Sequence, residues 1–204
     1  MTDSKARTAY FDELAATWDT AHGTQAEERI RAWCASVAGD VRSSGAFVVD
    51  LGCGTGISSR AWADTIAGRG TLVAVDRSVG MLRVARAGRD HPAIHWVCGD
   101  AHHLPLPGGT ADVLVALHLW PHLDDQPAAL REWRRVLKPG ARLWIVHLSS
   151  RAKINAVHGG GSEPIRHDRL PPVAELAQMV RESGFRIDRT EDSSVRYLLE
   201  AVSR

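Results

Sequence analysis

Residues 47–62 read FVVDLGCGTGISSRAW. From Ala46 to Leu51 the chain is a short apolar run rich in branched side chains, broken only by Asp50. That composition and length predict a strand buried on both faces, as in a parallel sheet. Gly52, Gly54 and Gly56 follow at alternate positions. They let the chain turn tightly and let a ligand approach main-chain atoms without meeting a Cβ. Ile57, Ala61 and Ala63 then begin an amphipathic helix, so the turn presents its free N–H groups at a helix start. A dinucleotide-binding turn shares this layout, with the spacing G-x-G-x-x-G. Here the spacing is G-C-G-T-G, one residue tighter, and Asp50 stands directly before it. An anion there repels a phosphate and attracts a positively charged amine or sulfonium.

Outward from this turn, apolar runs alternate with helical patterns. Strands are expected at 46–51, 71–76, 94–100, 112–119 and 141–148, and helices at 57–67, 79–88 and 125–137, the last stopping at Lys138-Pro139-Gly140. Before them, residues 5–19 predict a helix carrying Tyr10, Phe11, Leu14 and Trp18 on one broad face. A second helix is expected from Gln25, with Thr24 and Glu27 spaced as a capping box. After the fifth strand, 149–171 reads as mostly irregular chain, long enough to be a functional loop. Pro172 then opens a helix carrying Val173, Leu176, Ala177 and Val180, closed by Gly184, and 185–202 reads as two strands around a polar turn. Such alternation predicts an α/β fold with a parallel sheet and helices on both faces.

The segment VVDLGCGTG resembles the first motif of the class I S-adenosylmethionine-dependent methyltransferases, of the small type-11 kind, and later segments fit that family in order across roughly the whole chain. The resemblance implies a Rossmann-like doubly wound sheet, mostly parallel with an antiparallel last strand. It also implies one S-adenosylmethionine-dependent methyltransferase domain over 1–204, with N-terminal lid helices in 1–40 and an acceptor-side loop at 149–171. In that family the acid at Asp50 holds the methionine amino group, often through water, and Gly52, Gly54 and Gly56 lie against the cofactor. Cys53 between them is a small filler or a reactive thiol. Asp76 ends the second strand, where an acid can accept both ribose hydroxyls; the alternative is a helix cap, for which Ser78 is better placed. Arg77 and Met81 would flank the adenine. Asp100 and Ala101 match a further motif, in which the acid accepts the adenine amino group and the next N–H donates to the ring; a plain turn after Gly99 is the alternative. His102 packs on that ring or points to solvent. Tyr10 and Trp18 fit the family's lid helix, although aromatic spacing on a helix also suits a core. His118 is placed with the cofactor.

Methyl transfer from a sulfonium is an in-line displacement that demands alignment and exclusion of water. A general base is needed only when the acceptor keeps its proton at neutral pH. Family members that methylate DNA-base amino groups carry an Asp/Asn-Pro-Pro-aromatic segment after the fourth strand. This chain reads LHLWPHLDD there, which disfavours that substrate class and leaves the acceptor unnamed; a small-molecule acceptor is the expectation. His122, His147 and His158 fall around the expected position of the methyl group and are the candidate catalytic residues. Acid–base or substrate contact fits them better than a zinc-like ion, because His118 and His122 straddle Pro121 and form no clear helical H-x-x-x-H pair. Arg151, Lys153, Arg166 and Arg169 either meet an anionic acceptor or form a solvated face.

Composition sets the remaining bounds. The chain has 204 residues, a net charge of +1 and 44% hydrophobic residues, ordinary values for one globular domain. No basic stripe with interleaved aromatics suggests a nucleic-acid partner, and no run is long enough to span a bilayer. Cys34, Cys53 and Cys98 are odd in number and scattered, as expected of reduced cytoplasmic thiols. Oligomeric state is not encoded in any motif. Two other functions compete with methyl transfer. One is a sensor or structural partner that binds S-adenosylmethionine without transferring its methyl group. The other is a nicotinamide oxidoreductase, disfavoured by the glycine spacing and Asp50.

Overall fold

A computed structural model describes residues 3–41, 45–66, 70–88, 91–161 and 163–204. The glycine-rich turn joins β1 (Phe47–Leu51) to α3 (Ile57–Ile66). Strand β1 pairs in parallel with β2 (Thr71–Asp76) on one side and with β4 (Ala111–Leu117) on the other. Beyond them lie β3 (Ile94–Cys98), parallel to β2, and β5 (Leu137–His147), parallel to β4. The hairpin β6 (Phe185–Asp192) and β7 (Tyr197–Ser203) completes a sheet of order β3-β2-β1-β4-β5-β7-β6, with β7 antiparallel to both neighbours. The winding direction reverses between β1 and β4, so a crevice opens at the carboxyl ends of these two strands.

Val48, Val49 and Leu51 of β1 are fully buried, as are Leu114, Val115 and Ala116 of β4, because helices cover both faces of the sheet. On one face, α5 (Gln126–Val136) buries Leu130, Trp133 and Val136, and α7 (Val173–Glu182) buries Leu176 and Val180. The other face packs against α2 (Trp18–Ser36) and α3 through Trp33, Trp62 and Trp144. Trp62 and Trp144 stack with centroids 5.6 Å apart, and Trp33 meets each edge-on. Side-chain caps start the helices where the local sequence provides them. Ser78 accepts from the Met81 N–H at the start of α4 (Val79–Ala87), and Asp125 accepts from Ala128 at the start of α5.

Several boundaries differ from expectation for identifiable reasons. The first helix, α1 (Asp3–Leu14), ends in a 3₁₀ turn at Ala15–Thr17, and α2 begins at Trp18 rather than Gln25. Gly23, with φ of +73°, breaks α2 where the second helix was expected to start. Strand β3 stops at Cys98, two residues short, because Gly99 and Asp100 turn into a bridge with His103. Strand β4 likewise ends at Leu117. Strand β5 starts at Leu137, with Lys138-Pro139-Gly140 inside its irregular first part rather than before it. Residue 67, expected to close α3, lies outside the described residues. The largest correction is in 149–171, where α6 (Arg151–Gly160) replaces irregular chain. Ser150 caps it by accepting from the Lys153 N–H at 3.2 Å.

Candidate functional site

A cavity of about 640 Å³ lies at the switch point, over the carboxyl ends of β1, β2, β4 and β5. Of the cofactor-binding and catalytic candidates, all but Asp50 and Gly56 line it: Tyr10, Trp18, Gly52, Cys53, Gly54, Asp76, Arg77, Met81, Asp100, Ala101, His102, His118, His122, His147 and His158. Of the loop cations, Lys153 lines it and Arg151, Arg166 and Arg169 do not. The size suits a small-molecule site.

The glycine turn forms one end. Gly54 has a positive φ of +53° and would meet no atom within 4 Å if it carried a Cβ, so its main chain faces open space. Gly56 serves packing instead: a Cβ there would stand 2.4 Å from the Trp96 ring. The Gly54 N–H donates to Asp76 Oδ2 at 2.8 Å, which fastens the turn to the end of β2. Asp76 Oδ1 accepts from the Ser78 N–H, also at 2.8 Å. Each carboxylate oxygen has a second lone pair, so these bonds leave acceptor capacity for a ligand. Cys53 is buried, and burial pushes its thiol well up, which suits a small filler between the glycines.

Asp100 closes the adjoining side. Its Oδ1 meets His102 Nδ1 at 2.6 Å, and its Oδ2 accepts from Arg77 at 3.0 Å. Burial works to raise this carboxyl, but bonds from His102 and the charge of Arg77 outweigh it and hold it below its ordinary value. The His102 ring therefore turns toward Asp100, and Arg77 pairs with two acids, Asp100 and Asp124.

Asp50 stands behind this end, fully buried and outside the cavity lining. Its Oδ2 accepts from Ser58 at 2.8 Å and Ser59 at 2.6 Å, while Oδ1 has no partner among the described residues. Ser58 itself lines the cavity, so Asp50 reaches the site through that hydroxyl. Burial pushes the Asp50 carboxyl up to about 6 from an ordinary 3.8. Such a group binds its proton more tightly folded than unfolded. Its contribution to stability is therefore full below about pH 4 and is lost as pH rises through about 6. The thermal midpoint of the ligand-free protein is expected to fall across that window relative to Asp50→Asn. Identical pH profiles for the two proteins would refute the assignment.

The N-terminal helices roof the cavity with polar contacts from three side chains, Asp12, Asp19 and Arg7, that no motif announced. Asp12 Oδ1 accepts from Ser78 Oγ at 2.6 Å and from the Gly80 N–H at 2.7 Å, an acid at the positive end of α4. Thr55 donates to Asp19 at 2.5 Å. Arg7 pairs with Asp168 and with Asp124. Tyr10, Phe11 and Trp18 form an edge-to-face chain under this roof.

Four histidines gather at the other end. His118 has a left-handed backbone, φ +59°, just past β4, a conformation that costs of order 1 kcal/mol and is concentrated at functional sites. Its ring lies 5.2 Å from that of His147. His147 closes β5 at 1% exposure, and neither ring nitrogen has a partner among the described residues. Burial, with the neighbouring histidines, pushes it well below its ordinary value, so it is a neutral ring. His122 and His158 stack at a tilt, 4.9 Å apart. From α6, Lys153, Ile154 and Val157 join the lining. Their spacing with His158, after the Ser150 cap, was a helix signal obscured by the three following glycines. Of the other loop cations, Arg151 pairs with Asp192, and Arg166 and Arg169 donate to backbone carbonyls. Among the described residues no group of three or more His, Cys, Asp or Glu is arranged to hold a metal ion.

Residues 49–145 match the methyltransferase domain family. A demethylmenaquinone methyltransferase of Renibacterium salmoninarum is 34% identical over 142 residues, which cover 69% of this chain and 58% of that protein. The chain belongs to the class I S-adenosylmethionine-dependent methyltransferase family. A malonyl-[acyl-carrier protein] O-methyltransferase of Serratia marcescens is 35% identical over 133 residues, covering 64% of this chain and 48% of that one. The chain thus spans between about half and three-fifths of the length of these curated relatives. In fold, a chain from a Haloferax volcanii complex of a methyltransferase and its activator superposes with a TM-score of 0.73 at 22% identity, covering 95% of this chain and 97% of that one.

S-adenosylmethionine is the family's cofactor, and the observed donors and acceptors fit it. The open main chain at Gly54 accepts close approach, and Asp76 retains lone pairs for vicinal hydroxyls. The unpartnered Oδ1 of Asp50, buried behind Ser58, is an acid whose charge would favour an ammonium or sulfonium in the cradle. In this methyltransferase fold no described helix is long and apolar enough to cross a membrane.

Proposed function

We propose that the protein transfers the methyl group of S-adenosylmethionine to a small, largely apolar acceptor of the quinone type. The carrying observation is one cavity with two chemically different ends: a glycine and carboxylate cradle, and a cluster of histidines with apolar walls. The quinone class comes from the Renibacterium relative's name, and the apolar walls of Phe11, Leu14, Leu148 and Ile165 are compatible with it. In this reading residues 1–204 carry one domain, with 1–40 as the lid and 149–171 on the acceptor side. Cys34, Cys53 and Cys98 are free thiols, which supports a reducing, cytoplasmic setting.

The bound cofactor supplies an electrophilic methyl group; the protein supplies position and dryness. Gly52, Gly54 and Asp76 hold the ribose and methionine end, with Asp50 acting through Ser58, and Arg77, Met81, Asp100, Ala101 and His102 surround the adenine. Tyr10 and Trp18 close over it and exclude water. His118, beside His147 in the histidine cluster, is assigned to the cofactor side. Neutral His147 offers one N–H and one lone pair to an acceptor oxygen, and His122 and His158 flank it.

Two experiments test the reading. Calorimetry should show S-adenosylmethionine binding and no NAD binding, and tritiated methyl should pass into demethylmenaquinone kept chemically reduced as its quinol. NAD binding alone, or cofactor binding without transfer to any acceptor in a metabolite extract, would refute it. Replacing His122, His147 or His158 by Ala is expected to lower transfer at least about tenfold while cofactor affinity stays within about threefold. A chelator should leave the rate unchanged. Three variants with wild-type rates would leave the histidines as packing.

A further inference from the structure

Behind the histidines lies Asp168, 4% exposed and outside the cavity lining. Its carboxylate accepts from Arg7 Nε at 3.2 Å to both oxygens, and from Arg7 Nη2 at 2.8 Å. Its Oδ2 also meets Nδ1 of His122 at 2.6 Å. Its backbone carbonyl meets Nδ1 of His158 at 3.1 Å. A carboxylate and a carbonyl can only accept here. Each neutral ring therefore carries its proton on Nδ1 and its lone pair on Nε2, a tautomer assigned from these partners. Both rings line the cavity. One residue thus fixes two imidazoles, and Arg7 of the lid fixes that residue.

The charges in the cavity narrow the acceptor. Its lining acids, Asp19, Asp76 and Asp100, all bond to groups of the glycine end or its neighbours. The histidine end has imidazoles, Arg7 and Lys153, and apolar walls. An ammonium acceptor would find no carboxylate in that lining, and a carboxylate acceptor would leave the oriented imidazole with no proton to take. A hydroxyl does need a base at neutral pH.

Resting on the methyltransferase reading above, we propose that Asp168 is a positioning residue that sets His122 as the base for a hydroxyl-bearing acceptor. The hydroxyl proton passes to Nε2 of His122, and the pair left on oxygen forms the bond to the methyl carbon. The pair of the broken carbon–sulfur bond stays on sulfur, which becomes a neutral thioether. Asp168 stabilises the imidazolium, as the aspartate of a catalytic triad does. His158, held by the same residue, keeps the His122 ring in place.

The test uses the full chain, tritiated S-adenosylmethionine and three probes: 1,4-dihydroxynaphthalene kept reduced, dodecanoate and dodecylamine. Transfer to an oxygen of the dihydroxynaphthalene, read as its methyl ether by NMR, is expected to dominate; methyl on a ring carbon would overturn the oxygen step. Asp168→Asn should lower kcat at least about tenfold with KM for S-adenosylmethionine within about threefold, and Asp168→Glu should restore part of the loss. His122→Gln leaves the Arg7–Asp168 pair in place and should lose as much. Nitrogen NMR of the rings should show the Nδ1–H tautomer at His122 in the parent protein and mixed tautomers in Asp168→Asn. Preference for dodecanoate or dodecylamine, or transfer to none of the three, would overturn the proposal. So would a loss in Asp168→Asn that only tracks a lowered thermal midpoint. Absence of S-adenosylmethionine binding by calorimetry is a different failure, because it removes the methyltransferase reading itself.

Discussion

Asp76→Ala weakens S-adenosylmethionine binding about a hundredfold or more. On the proposed ribose role of Asp76, two charge-assisted hydrogen bonds would be lost, each worth roughly 1.5–3 kcal/mol. The geometry adds a second reason. Asp76 Oδ2 also accepts the Gly54 N–H, and Oδ1 the Ser78 N–H, so the same carboxylate holds the turn beneath the cofactor. The ligand-free thermal midpoint is therefore expected to fall as well, since two backbone donors lose their partner. Asp76→Asn keeps one acceptor oxygen and should lose less affinity than Ala. Calorimetry on the three proteins measures this directly. An unchanged affinity in Asp76→Ala would place the ribose elsewhere.

Trp144→Ala is expected to destabilise the protein by about 3–5 kcal/mol. Trp144 is 1% exposed on β5, stacked on Trp62 of α3 at an interplanar angle of 6° and met edge-on by Trp33 of α2. Removing the ring opens a void between three elements, and the rigid sheet cannot collapse to fill it. The thermal midpoint should drop by about 10 °C or more, and Trp144→Phe should recover part of it. Because α3 begins at the glycine turn, cofactor should raise the variant's midpoint through mass action. A midpoint within about 2 °C of the parent would show that the cluster is not a structural joint.

Much of the cavity lining was readable because its signals are local. Three glycines after an apolar run, acids ending or following strands at Asp76 and Asp100, and a cap at Ser78 are each recognisable within a few residues. Strand alternation places such residues at the carboxyl ends of a parallel sheet, and there the cavity lies. The histidines at 118, 122, 147 and 158 follow from the same topology, since each lies just past a strand or on the segment returning over the crevice.

By itself, then, the sequence determined the alternating strands and helices, the glycine turn and most of the candidate residues that reach the crevice. Periodicity and turn chemistry are short-range, and a parallel sheet converts them into one common edge. Only the tertiary structure decided that Asp50 stays behind Ser58, because its burial depends on α3 packing over it. Only the tertiary structure made 151–160 a lining helix against the three glycines that follow His158. It also joined Arg7 to Asp168, a pair 161 residues apart that no spacing rule relates. Ion pairs of that kind are set by how separate elements dock, and docking is a property of the whole packed core.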